Sequence, residues 1–229
     1  MDDRDKVLLV GGLHRLRDGA ILSTIGFSLI FFSSISFILM WGVVKPPMAF
    51  IHVWTDSMPH PEPGPFPHPG IMVASIIGVL LAVLAGLVLQ LVAFFIWLGA
   101  SRLLRDYDPN RLGLGYTGMM LELAGFIVLI AGMLAAIVMG FQGAPIAGVV
   151  LMASLFLGGV LVFIGIIFFG VMLLRLPEVE GVDPGFKAAG ILFILSIIPG
   201  IGLLLAAVSA ILIYMASSRS LARLRGTGY

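Results

Sequence analysis

Four stretches of this chain each run for more than about 20 residues almost without charge, the length a helix needs to cross the hydrocarbon core of a bilayer. They are Ala20–Val44, Ile71–Ala100, Leu114–Phe141 and Ala147–Leu174. Lipid cannot satisfy open backbone groups, so such runs must close their hydrogen bonds internally. They are too continuous for the alternating pattern of barrel strands. The expected fold is therefore all-α: a single polytopic helical bundle over residues 1–229.

A fifth run, Ala188–Ala216, is broken at its middle by Pro199-Gly200-Ile201-Gly202. Proline removes a helix donor and glycine permits a turn. The break is thus either a kink in one tilted span or the turn of a short hairpin, about Pro184–Ile198 and Gly202–Ser217. The first reading gives five spans and the second six. Charge favours six, because Arg and Lys near span ends gather on the cytoplasmic side. With the N-terminus inside, Arg4, Lys6, Arg15, Arg17, Arg102, Arg105, Arg111, Arg175 and Lys187 fall inside and Lys45 outside. A hairpin also brings Arg219, Arg223 and Arg225 inside.

Composition agrees. Of 229 residues, 60% are apolar and 11% charged, against roughly 25% charged in a soluble domain. The net charge of +1 gives no basic face for nucleic acid. The absence of cysteine excludes disulfides, cysteine–zinc sites and thiol catalysis. One Asn and two Gln fit a heat-adapted source, although twelve Met argue the other way. The acidic start, Asp2, Asp3 and Asp5, does not read as a signal peptide.

A short internal repeat runs through the chain. Gly19-Ala-Ile-Leu22 and Gly26-Phe27 match Gly118-Met-Met-Leu121 and Gly125-Phe126. Gly78-Val79-x-Leu81 matches Gly148-Val149-x-Leu151, and Leu103-Leu104-Arg105 matches Leu173-Leu174-Arg175. The chain reads as hairpin after hairpin, a parallel repeat of a kind some transporters use. Gly and Leu are so common here that chance matches are the alternative.

The ends are amphipathic. Val7, Val10, Leu13 and Leu16 share helical spacing beside Lys6, Arg15 and Arg17, which suits residues 1–19 to a helix in the inner headgroup layer. Residues 217–229 form a basic tail of similar character. Trp41, Trp97, Tyr116 and Tyr214 stand near span ends, where interface aromatics gather.

Leu16-Arg17-Asp18-Gly19-Ala20, leading into the first run, and Ile198-Pro199-Gly200-Ile201-Gly202, inside the fifth, resemble an archaeal family of multispanning membrane proteins classed only as a domain of unknown function. The resemblance implies an archaeal plasma membrane and five or six spans. It brings no catalytic residues.

Glu122 is the one acid deep within a predicted span, two turns into the third run. An ionisable group there is costly and is a functional candidate by default. It could couple to a proton or cation, with Gln90 as a polar neighbour; a structural carboxyl, protonated and bonded to a backbone carbonyl or pairing with a neighbouring subunit, is the alternative. The loop 45–70 carries eight of the thirteen prolines and places His52, His60 and His68 every eight residues, with Asp56 and Glu62 between them. Imidazole and carboxylate suit Zn or Cu(II), but the spacing matches no ligand signature, and an extended docking strap is the stronger expectation.

Gly132, Ala136 and Gly140, and again Gly202, Ala206 and Ala210, recur at every fourth position, which lets helices approach closely in lipid. The serines of the first span have no histidine to activate them. Gly113-x-Gly115-x-x-Gly118 follows no strand, and no Walker-type glycine loop occurs. No cofactor is expected. The expectation is a non-enzymatic accessory or scaffolding subunit that contacts lipid and other membrane proteins. A small transporter using Glu122 is the alternative, and an outer-face metal protein the third reading.

Overall fold

The structure, a computed structural model, describes residues 3–44, 69–142, 144 and 146–226, with side chains described between 3 and 38 and between 75 and 225. The proline-rich segment with His52, His60 and His68 lies outside the described residues, as does the side chain of Trp41.

Among the described residues there are six α-helices and no strand. They are α1 (Asp3–Val44), α2 (Pro69–Tyr107), α3 (Pro109–Phe141), α4 (Ala147–Arg175), α5 (Gly185–Leu195) and α6 (Gly202–Gly226), with one 3-10 turn at Leu176–Glu178. All but α5 are long and apolar enough to cross a membrane. Each helix packs on the next, and α6 closes the ring against α1.

Local chemistry sets the breaks. Asp108 separates α2 from α3; its side chain accepts the Arg111 N–H at 3.1 Å, and Pro109 opens the new helix. Both are favoured helix-start features, because a cap serves an orphan donor and proline lacks one. At the other break, Gly200 takes φ +90°, a conformation that costs glycine little. The break at Pro199-Gly200 is therefore a turn and not a kink, and α5 and α6 form an antiparallel hairpin. Ser209 Oγ donates to Ala189 O across it at 2.8 Å.

At 11 residues α5 is about 16 Å long, short of the ~30 Å hydrocarbon core. Phe193, near its end, meets Trp97 of α2 and Phe169 of α4 at ring distances of 5.9 and 5.1 Å. Only a few residues beyond that level the hairpin turns back, while α1 continues to Val44 and α3 to Phe141.

Packing is concentrated at one end. The largest fully buried side chains include Leu9, Leu13 and Leu16 of α1, Leu104 of α2, Met172 and Leu173 of α4, Phe186 of α5 and Ile213 of α6. All lie at the end that carries both termini and most of the basic residues. Where that end meets water, burying such a side chain stabilises by ~1.5–3 kcal/mol. The other halves of α1 to α4 present Phe32, Ile38, Leu80, Leu84, Phe141, Val149, Met152 and Phe156 outward.

Two interface expectations change. Residues 3–19 are not a separate helix along the headgroups: α1 is continuous, and Leu9, Leu13 and Leu16 face the bundle. The charged neighbours share the helix but not its buried stripe. Trp97 is not an interface aromatic. It is 5% exposed, stacks on Phe169 at 5.5 Å, and donates from Nε1 to Leu16 O. Its polar edge finds a carbonyl inside the bundle and has no need of the headgroups. Tyr214 is exposed, and Tyr116 carries Arg105 over its ring at 4.3 Å.

Candidate functional site

Glycines bring α3 and α4 together. A β-carbon added at Gly118 would lie 2.6 Å from Gly165 O, and one at Gly125 would lie 2.7 Å from Gly158 O. Further along, Gly132 rests against Ser154. These contacts place backbone directly on backbone, as small residues allow in lipid.

Glu122 sits in this seam, between Gly118 and Gly125. Its Cγ occupies the space that a side chain at Gly165 would need. The residue is 7% exposed, and among the described residues its Oε1 has no hydrogen-bond partner. Ser217 Oγ is likewise buried and unpaired, but a hydroxyl is far cheaper to leave so than an acid.

The α1–α2 seam is built alike. Gly26 and Gly86 approach each other reciprocally, each 2.9 Å from the other's carbonyl oxygen when a β-carbon is added, and Gly19 meets Trp97 and Ala93 O. The shift that carries Gly19 and Gly26 onto Gly118 and Gly125 also carries Ser23 onto Glu122. On the partner helix, the shift that carries Gly86 onto Gly158 carries Ala93 onto Gly165, Trp97 onto Phe169 and Gln90 onto Val162. The two hairpins are thus structural repeats. The sequence match on α1 and α3 is the structural one, whereas the match of Gly78 with Gly148 on α2 and α4 is displaced by two residues.

The equivalent places hold different chemistry. In the first hairpin Ser23 Oγ donates to Gln90 Oε1 at 3.0 Å, and Gln90 Nε2 donates to Ser23 O at 2.8 Å. In the second, Glu122 stands where Ser23 does, and the position of Gln90 is Val162. Gln90 is therefore committed to its own hairpin and is not a polar neighbour of Glu122. Replacing Gln90 by Leu should destabilise the first hairpin by about 0.6–1.7 kcal/mol, the range for interhelical bonds in membranes. Unfolding from mild detergent would show it, and an unchanged midpoint would mean the pair contributes nothing.

The other candidates divide. Ala136, Ala206 and Ala210 are buried, and Gly202 packs against the Ser196 carbonyl within the hairpin turn. Gly140 faces open space: a β-carbon there would meet nothing within 4 Å. Thr24, Ser28 and Ser34 donate to carbonyls four residues back, a bond local to α1.

Sequence reasoning missed Asp183. It is 3% exposed, Oδ1 accepts the Gly185 N–H at 2.8 Å, and Oδ2 pairs with Arg223 at 3.1 Å. Its own N–H donates to Ser220 Oγ. Asp183 fastens the end of α6 to the segment before α5. The only sequence signal was an acid preceding Pro184-Gly185, which reads equally as an ordinary turn.

No curated protein and no solved structure matches the chain. A family model described as "Protein of unknown function (DUF973)" matches residues 10–228. That span takes in both repeat hairpins, the α5–α6 hairpin and Glu122, and the chain belongs to this family of unknown function.

Proposed function

We propose that this membrane protein works by association, as a non-enzymatic accessory or scaffolding subunit of a larger membrane assembly. One observation carries the reading. The bundle is tightly packed at the end with the termini and open at the other, where α1–α2 and α3–α4 continue as bare apolar pairs. Helices of another membrane protein, packed beside these pairs, would complete the bundle. α1 ends and α2 begins at that same end. The basic residues gather at the end with the termini, which supports a cytoplasmic placement of both and a plasma-membrane location. The resemblance noted above supports an archaeal source.

Extraction in mild detergent, followed by size analysis and mass spectrometry, tests this. A stoichiometric larger membrane protein co-migrating with the chain supports association. Migration as a monomer or as a pure homo-oligomer overturns it.

A further inference from the structure

We propose that Glu122 is a proton-binding site inside the membrane, exchanging its proton with the aqueous phase. The inference rests on the α3–α4 seam and stands apart from any partner protein.

The first hairpin shows that a neutral pair suffices at this place. Ser23 and Gln90 tie α1 to α2 through two hydrogen bonds. The second hairpin has the same glycine contacts without such a tie: Val162, where the first hairpin has Gln90, offers Glu122 no bond. An acid that served only to join the helices would have a partner across the seam. This one has an oxygen that is buried and unserved, a condition that buried polar groups rarely show.

The surroundings choose the ligand. α3 packs on α4 and α2. Neither carries an ionisable side chain between residues 71 and 101 or between 147 and 174. Arg102, Arg105, Asp106 and Tyr107 of α2 and Arg175 of α4 lie toward the basic end, and Tyr116 of α3 is held there under Arg105. Among the described residues, no cation therefore stands ready to pair with the carboxylate. A hard cation such as Ca2+ or Mg2+ would need about six oxygen ligands, and zinc about four side-chain ligands, whereas among the described residues no three His, Asp or Glu side chains gather. The neighbouring glycine carbonyls each accept one bond within their own helices; a remaining lone pair can take the O–H of a protonated carboxyl but does not make a cation shell. A proton asks for one oxygen, and Glu122 supplies it.

The test is infrared spectroscopy of the full chain reconstituted in lipid vesicles at neutral pH, first in H2O and then in D2O. Exposed carboxyl groups are ionised under these conditions, and Asp183 is paired with Arg223. The expected result is a carbonyl band of a protonated carboxyl that moves down in D2O and is absent from Glu122→Gln. Glu122→Asp should restore a band at a shifted position, which guards against a glutamine variant that fails to fold. Absence of the band in the unaltered chain overturns the proposal. So does a band that never shifts in D2O, which would mark a sealed structural acid, or one that survives in folded Glu122→Gln.

Discussion

Valine in place of Gly165 will force α3 and α4 apart. A β-carbon there collides with Glu122 Cγ and lies 2.6 Å from Gly118 O. The carbonyl belongs to a helix backbone and cannot swing aside. Relief requires the helices to separate along the whole seam, losing the Gly125–Gly158 approach as well. Overpacking of this kind costs ~1–3 kcal/mol and occasionally more; with backbone on the far side, about 3 kcal/mol or more is the expectation. Thermal unfolding in mild detergent should show a large fall, with reduced yield of folded protein. Gly140→Ala is the matched control: the site is open, so the change should lie within about 0.5 kcal/mol. Equal melting of Gly165→Val and the unaltered chain would mean that the seam is looser than described.

The second large effect is at Arg223. Its removal leaves the Asp183 carboxylate buried with a single N–H to serve it. Stripping one partner from a buried ion pair costs roughly 3–5 kcal/mol. The Arg223 side chain is 53% exposed, and solvent weakens its share of the attraction, so about 2–3 kcal/mol is expected for Arg223→Ala. The loss should be local. Amide exchange should quicken in the last turns of α6 and around Asp183, while the α3–α4 seam stays protected. Unaltered exchange at the end of α6 would show that the pair does not hold the tail.

The spans were legible because lipid leaves the backbone few choices, and a long apolar run in it must be helical. Pro199-Gly200 declared a break, but whether it bends or reverses a helix depends on what packs beside it. Ser209 of α6 bonded to Ala189 O of α5 settles that, and nothing local in the sequence announces the contact. Spacing marked Gly132 and Gly140 alike, yet only Gly132 has a neighbour. Helical periodicity gives a face and does not say what covers it. Trp97 misled because a tryptophan at the end of a span and one turned into a bundle look identical in sequence. Glu122 was visible as an acid among apolar residues. Its unserved oxygen was not, because it depends on Val162 standing where the other hairpin has Gln90.

The early turn of the α5–α6 hairpin has a consequence for the membrane itself. Near the termini six helical segments share the cross-section, whereas toward the opposite end only α1 to α4 continue. The described body is therefore a wedge. Set in a bilayer, these helices would displace more area in one leaflet than in the other, so a flat bilayer around them would carry unequal lateral strain. That strain would be relieved where the surface bulges toward the broad end.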